Sequence, residues 1–273
     1  MRIWSIAALY LCFVGCGFAE TASGSDPRIV PAVAPAETEA DPLKDILARL
    51  GQNAAKLVSC TSNIDYLVIQ DPDLLDAHAL RKGNMYYLKT DERSYIRINF
   101  ETLRQDDFDE EKRPEVYLFD GVWLTKVDYA LEQMDRYQQA PEDKPLDALT
   151  FLSHHFPLVG FSGGEQLQTE FDIRLGDSSP DDDPNMIRLH LDVRKESRYS
   201  KDYKAIDFWI DSTRYLPRRV RALSTQGDIY DIRFVDIRTN LKLEKEAFKI
   251  DIPAHFRKNV EFLKQEPETK GLN

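Results

Sequence analysis

From Ser62 onward the chain repeats with a period of two, and that alternation restricts its fold more than any other feature. Short runs rich in Tyr, Ile, Val and Phe are separated by polar turns. The runs are 64–70, 84–89, 95–100, 116–119, 123–127, 187–193, 205–210, 218–223, 229–237 and 248–252. Runs this close together, with no helix-length segment between most of them, predict hairpins and not βαβ units. Within 187–193, Ile187, Leu189, Leu191 and Val193 share one face, while Arg188, His190 and Asp192 take the other. Ile206, Phe208 and Ile210 oppose Asp207 and Asp211 in the same way. One face is dry and one wet, as in a single antiparallel sheet covering helices on one side. The expected class is mainly β (α+β): one curved antiparallel sheet of about ten strands, with helices packed in its concave face.

Two helices are legible. Asp41 is a good N-cap, Pro42 suits the first helical position, and Leu43, Ile46, Leu47, Leu50, Ala54, Leu57 and Val58 recur at helical spacing. Gly51 weakens the centre of that helix. Between the two blocks of strands, Leu146, Leu149, Leu152 and Phe156 predict a second helix over 145–156. Two helices fill the hollow of a ten-strand curved sheet poorly at ordinary packing density, so an apolar cavity is expected. In an exported protein such a cavity suits a lipid. Alternation fixes which residues share a face but not which face is concave; the expected lining is Ile96, Ile98, Phe119, Leu189, Leu191, Phe208 and Ile210.

Export is read from the N-terminus. Arg2 is the only charge in residues 1–19, and Ile3 to Val14 form an apolar core of signal-peptide length. Two processing sites compete. Gly17-Phe18-Ala19 permits cleavage before Glu20, whereas Phe13-Val14-Gly15-Cys16 resembles a lipobox that would leave Cys16 acylated. Residues 20–41, rich in Ala, Pro, Glu, Thr and Ser, read as a disordered tether. The expected divisions are a signal peptide (1–19), the tether (20–41), a lipid-binding domain (42–256) and a C-terminal tail (257–273).

The formal charge is −11, and losing the single positive charge of Arg2 takes it to −12. That argues against nucleic acid and against docking on an anionic membrane through a basic patch. Of three cysteines, Cys12 and Cys16 lie in the signal region, so Cys60 has no internal disulfide partner. It reads as a small buried residue just after the first helix.

Catalytic and metal patterns are weak. Gly160-Phe161-Ser162-Gly163-Gly164 matches G-x-S-x-G, with Asp207 or Asp211 and then His255 in hydrolase order. The motif carries meaning at a strand-to-helix turn of a parallel sheet, and here Pro157 and downstream hairpins surround it. His154 and His155 are adjacent on a helix and point about 100° apart, too far to share a metal. Asp106, Asp107, Asp109, Glu110 and Glu111 read as a solvated turn, as does 177–184. No catalytic residue, metal or cofactor is expected.

Asp120-Gly121, followed by Val127-Asp128-Tyr129-Ala130-Leu131-Glu132-Gln133-Met134, resembles the DG…YDPDLxQV run of the LolA-like periplasmic lipoprotein carriers. Asp211, Pro217 and Val220 are similar to that family's D…LP..V turn, Gly227 and Phe234 to its G…F hairpin, and Phe248 and Pro253 to its closing strand. Gly83 and Arg97 resemble its early hairpin, although Arg97 lacks the usual preceding proline and Tyr129 replaces another. The likeness covers residues 43–256. It implies a half-open barrel with a helical lid latched by Arg97, and a cargo of lipoprotein acyl chains carried toward the outer membrane. It also implies an inner-membrane lipoprotein-releasing transporter and an outer-membrane acceptor as partners. A module anchored through Cys16 that senses lipids or lipoproteins is the alternative, and a secreted hydrolase using Ser162 a more distant one.

Overall fold

The computed structural model describes residues 41–155, 164–177 and 183–263, with no side-chain detail at 153–155 and 164–166. Helix α1, Pro42–Ala55, starts as its sequence predicts: the Asp41 carboxylate accepts from the Leu43 amide at 3.1 Å, with Pro42 in the first turn. It buries Ile46, Leu47 and Leu50. The helix ends at Ala55, earlier than the apolar spacing suggests. Leu57 still reaches the core, but Val58 is 54% exposed.

Six strands follow as a meander: β1 (Ser59–Gln70), β2 (Ala77–Lys89), β3 (Ser94–Gln105), β4 (Glu111–Phe119), β5 (Trp123–Asp128) and β6 (Gln133–Gln138). Helices α2 (Ala148–His155) and α3 (Gly164–Glu170) come next. The chain then returns through β7 (Phe171–Leu175), β8 (Met186–Val193), β9 (Tyr203–Asp211), β10 (Pro217–Ser224), β11 (Ile229–Thr239) and β12 (Arg257–Glu261). All twelve strands form one sheet in the order β12-β6-β5-β4-β3-β2-β1-β11-β10-β9-β8-β7. The two meanders join where β1 pairs antiparallel with β11, setting Ile64 opposite Phe234 and Tyr66 opposite Ile232.

Twelve strands replace the expected ten, for three local reasons. Strand β6 buries only Met134, so it shows no apolar period. Strand β7 alternates, but over five residues only. Strand β12 is exposed at every position and pairs parallel with β6, through its backbone. The expected tail, 257–273, thus begins with a strand. The strand expected at 248–252 is instead a 3₁₀ turn, Lys245–Phe248, followed by extended chain without ladder pairing. A third helix, α3, was not foreshadowed by any apolar spacing.

Topology puts the helices where they are. Strand β6 lies near one margin of the sheet and β7 forms the other, so the chain between them must cross the sheet. Helices α2 and α3, which lie between these strands in the chain, pack on the inner face. The Asp147 carboxylate caps α2 by accepting from Leu149 and Thr150 amides at 3.1 and 3.0 Å. Ser94 on β3 clamps the same turn, accepting from the Ala148 amide at 2.7 Å and donating to Asp147 at 3.1 Å. Between β2 and β3 the strands approach so closely at Gly83 that an added Cβ would lie 1.8 Å from the Asn99 carbonyl oxygen. At the β4–β5 turn Gly121 adopts φ +92°, and the Asp120 carboxylate accepts from the Val122 and Trp123 amides at 3.0 and 2.7 Å.

The outer face of β3–β6 is covered as well. The segment after the 3₁₀ turn lays Ile250, Ile252 and Phe256 against Val116, Val127 and Met134, a small core separate from the main one. Phe248 packs its ring on Tyr95 with centroids 5.5 Å apart.

Candidate functional site

The seven residues expected to line a cavity all lie on the inner face and belong to one continuous apolar core. Each is 6% exposed or less. The register brings them together as two groups. On one flank Ile96 pairs with Phe119, and Ile98 lies two residues along the same face of β3. On the other, Leu189 pairs with Phe208 and Ile210 with Ile187, while Leu191 lies opposite Ile206. The flanks are not neighbours in the sheet: β2, β1, β11 and β10 separate them. Met85, Ile64, Ile232 and Val220 supply the missing part of the face. Their alternation was present in the sequence, as in Ile64, Tyr66 and Val68, and would have extended the lining across both meanders.

Against this face sit α1, through Ile46, Leu47 and Leu50, then α2 through Phe151 and Leu152, and α3 through Leu167. The third helix supplies filling that two helices would have left out. Phe151 stacks on Phe119 at 3.8 Å and 13°. Among the described residues the filling comes from three helices, two of them lying between β6 and β7 in the chain.

Toward the end where the β1–β2 and β3–β4 hairpins turn, the inner face becomes aromatic and mixed. Tyr66 stacks on Phe100 at 6.0 Å, and Phe100 meets Tyr117 edge-on at 6.1 Å. Tyr203 and Tyr230 form a second edge-on pair at 6.2 Å. Burial raises the phenol pKa values of Tyr66, Tyr117 and Tyr203, so these hydroxyls remain protonated. The Tyr117 hydroxyl donates to the buried Glu115 carboxylate at 3.0 Å, and Arg81 lies 3.8 Å from the same carboxylate. An amphiphilic end on an otherwise dry face is what tyrosines offer, with an apolar body and a polar tip.

Arg97 points to the outer face. Its guanidinium donates to the carbonyls of Ala247 and Lys249 at 2.8 and 2.9 Å, and its Nε donates to Asn99 at 2.7 Å. The carbonyls it holds belong to the 3₁₀ turn and the residue beyond it, not to α2 or α3. Cys60 is buried at the start of β1, and desolvation pushes its thiol up to about 12. His255 is 63% exposed on its side chain and lies 3.8 Å from Glu132. Ser162, Cys16 and the side chains of His154 and His155 fall outside the described residues. Among the described residues, no group of three or more His, Cys, Asp or Glu side chains is placed to hold a metal ion. No helix among them is long and apolar enough to cross a membrane.

No family model and no curated protein matches this sequence. Among solved structures it is similar to an uncharacterized conserved protein from Thermus thermophilus, at 13% identity and TM-score 0.47, covering 80% of this chain and 98% of that one. It is also similar to a chain of the MucA/MucB complex of Pseudomonas aeruginosa, at 15% identity and TM-score 0.42, covering 77% of this chain and 61% of that one. A third is a LolA-superfamily protein from Nitrosomonas europaea, at 13% identity and TM-score 0.33, covering 76% and 97%. The solved structures resembling this chain thus include a LolA-superfamily protein, at low identity throughout.

Proposed function

We propose that this domain binds the acyl chains of a lipoprotein, or of a related lipid, against the inner face of its sheet and shields them from water. One observation carries the reading. The inner face is continuously apolar from β3–β4 to β8–β9, yet short helices fill it, two of them on a crossing segment, and the sheet does not close on itself. A filling of separate short helices can be exchanged for hydrocarbon in a way that a closed barrel interior cannot. Each CH₂ removed from water contributes about 0.8 kcal/mol, so a long chain supplies enough free energy to displace such a helix. No covalent step is required. The return of the helices to the face would then help to expel the cargo.

In this reading the protein works in the periplasm. It takes its cargo from an inner-membrane lipoprotein-releasing transporter and passes it to an outer-membrane acceptor. The run Phe13 to Cys16 and the tether over 20–41 favour a second form of the same function, an anchored module that senses lipids or lipoproteins without carrying them. Mass spectrometry of protein purified from its own host, with its lipid extract, tests both. An acylated lipid recovered in stoichiometric amount supports binding, and its absence from a folded preparation rejects it. An N-terminus at Glu20 supports the carrier, and an acylated Cys16 supports the anchored module.

A further inference from the structure

The tips of the β1–β2 and β3–β4 hairpins stand side by side, because Ala79 on β2 is paired with Gln105 on β3. Two hydrogen bonds tie the tips together. The Asp106 amide donates to the His78 carbonyl at 2.9 Å, and the His78 amide donates to the Asp106 carboxylate at 2.6 Å. Each tip is also closed internally. The Asp71 carbonyl accepts from the Leu74 and Leu75 amides at 2.9 Å each, and the Gln105 carbonyl accepts from the Phe108 amide at 2.9 Å. Asp76 and Asp106 both take φ +47° to make these turns. The Asp71 amide donates to Asp228 at 3.0 Å, which fastens the first tip to the β10–β11 turn.

These closed turns hold three large apolar side chains out in solvent: Leu74 is 79% exposed, Leu75 70% and Phe108 75%. Single exposed apolar residues are commonplace, but here three stand on two tips that hydrogen bonds join. Carboxylates outnumber cations on the tips, with Asp71, Asp73 and Asp76 on one and Asp106, Asp107 and Asp109 on the other; Arg104 and His78 lie beside the second, His78 2.9 Å from Asp76. Lys82, the nearest lysine on β2, already pairs with Glu110 at 2.9 Å.

We infer that these two tips are a docking surface for a protein partner that presents a small apolar pocket rimmed by lysine and arginine. The apolar side chains would supply the buried anchors, and the carboxylates orientation and encounter rate. An anionic bilayer would be repelled by the same carboxylates. The inference stands whether or not the inner face takes acyl chains.

The test uses the full chain carrying Phe108→p-benzoylphenylalanine, irradiated in cells that make the protein. Val58, exposed elsewhere, serves as the control position. The expected result is a covalent adduct at Phe108, absent at Val58, whose cross-linked peptide on the partner bears lysine or arginine. Its yield should fall on the order of tenfold with Asp73→Asn, Asp107→Asn and Asp109→Asn combined. Asp71 and Asp106 are left alone because they hold the turns, and circular dichroism confirms that the combined variant folds. An adduct with phospholipid, a protein adduct indifferent to these substitutions, or no adduct overturns the inference. Flotation of the purified protein with vesicles of phosphatidylethanolamine and phosphatidylglycerol would overturn it too; the protein is expected to stay with the soluble fraction.

Discussion

Replacing Phe151 with alanine should loosen α2 from the inner face and strengthen acyl-chain binding at the same time. The Phe151 ring is buried and stacks on Phe119 at 3.8 Å. Truncating a buried phenylalanine costs about 3–5 kcal/mol, and the lower end applies where the surroundings can adjust. Since α2 belongs to the crossing segment and contributes no strand, most of that loss should fall on helix docking and little on the sheet. If α2 and an acyl chain compete for Phe119 and its neighbours, weakening the helix by about 3 kcal/mol lowers the ligand Kd by up to about 100-fold. A tenfold change corresponds to about half of that coupling. Displacement of a fluorescent fatty acid measures Kd, and thermal unfolding followed by circular dichroism measures stability. The expected result is a lower melting temperature with tighter binding. A folded Phe151→Ala protein that binds the probe no better, or less well, would refute competition between the helix and the ligand.

Gly83→Ala should destabilise the protein by about 3 kcal/mol or more in urea unfolding, because the new Cβ meets the Asn99 carbonyl at 1.8 Å and the strands must part. Arg97→Met should cost about 1–3 kcal/mol through loss of its bonds to Ala247 and Lys249. Hydrogen exchange should then show faster amides over 245–261 while those of β3 stay protected. Cys60 should resist maleimide in the folded protein at pH 8 and react once unfolded, since burial holds its thiol at about 12 against an ordinary 9.0. The sign follows: its contribution to stability is constant below pH 9, then declines as the unfolded thiolate forms between pH 9 and about 12. Unfolding of Cys60→Ala across that range should be less sensitive to pH.

Legibility in the sequence followed burial. Strand β8 was readable because Ile187, Leu189 and Leu191 enter the main core while Arg188 and Asp192 face outward, so composition records the two sides. The start of α1 was readable because Asp41 and Pro42 act within one turn of chain. Strand β12 was not, since its five exposed residues join the sheet by backbone bonds that any side chain permits. The alternation of Phe248, Ile250 and Ile252 misled for the opposite reason. It records a one-sided burial on the outer face, and one-sided burial needs no partner strand. Arg97 was noticed, but its carbonyl partners lie 150 and 152 residues away and no local pattern could supply them. The inner-face residues were found as fragments because alternation assigns sides within a strand, while the register joining Ile64 to Phe234 belongs to the assembled sheet.

A photoreactive fatty acid with a diazirine in its chain addresses the central claim most directly. The purified full chain would be loaded, irradiated and digested, and the modified residues located by mass spectrometry. Adducts are expected on the inner face, at Ile96, Ile98 and Phe119 on one flank and at Leu189, Leu191, Phe208 and Ile210 on the other, and excess unlabelled fatty acid should suppress them. Adducts confined to the outer face, or spread without regard to competitor, would contradict acyl binding within the sheet and leave the inner face as a filled core.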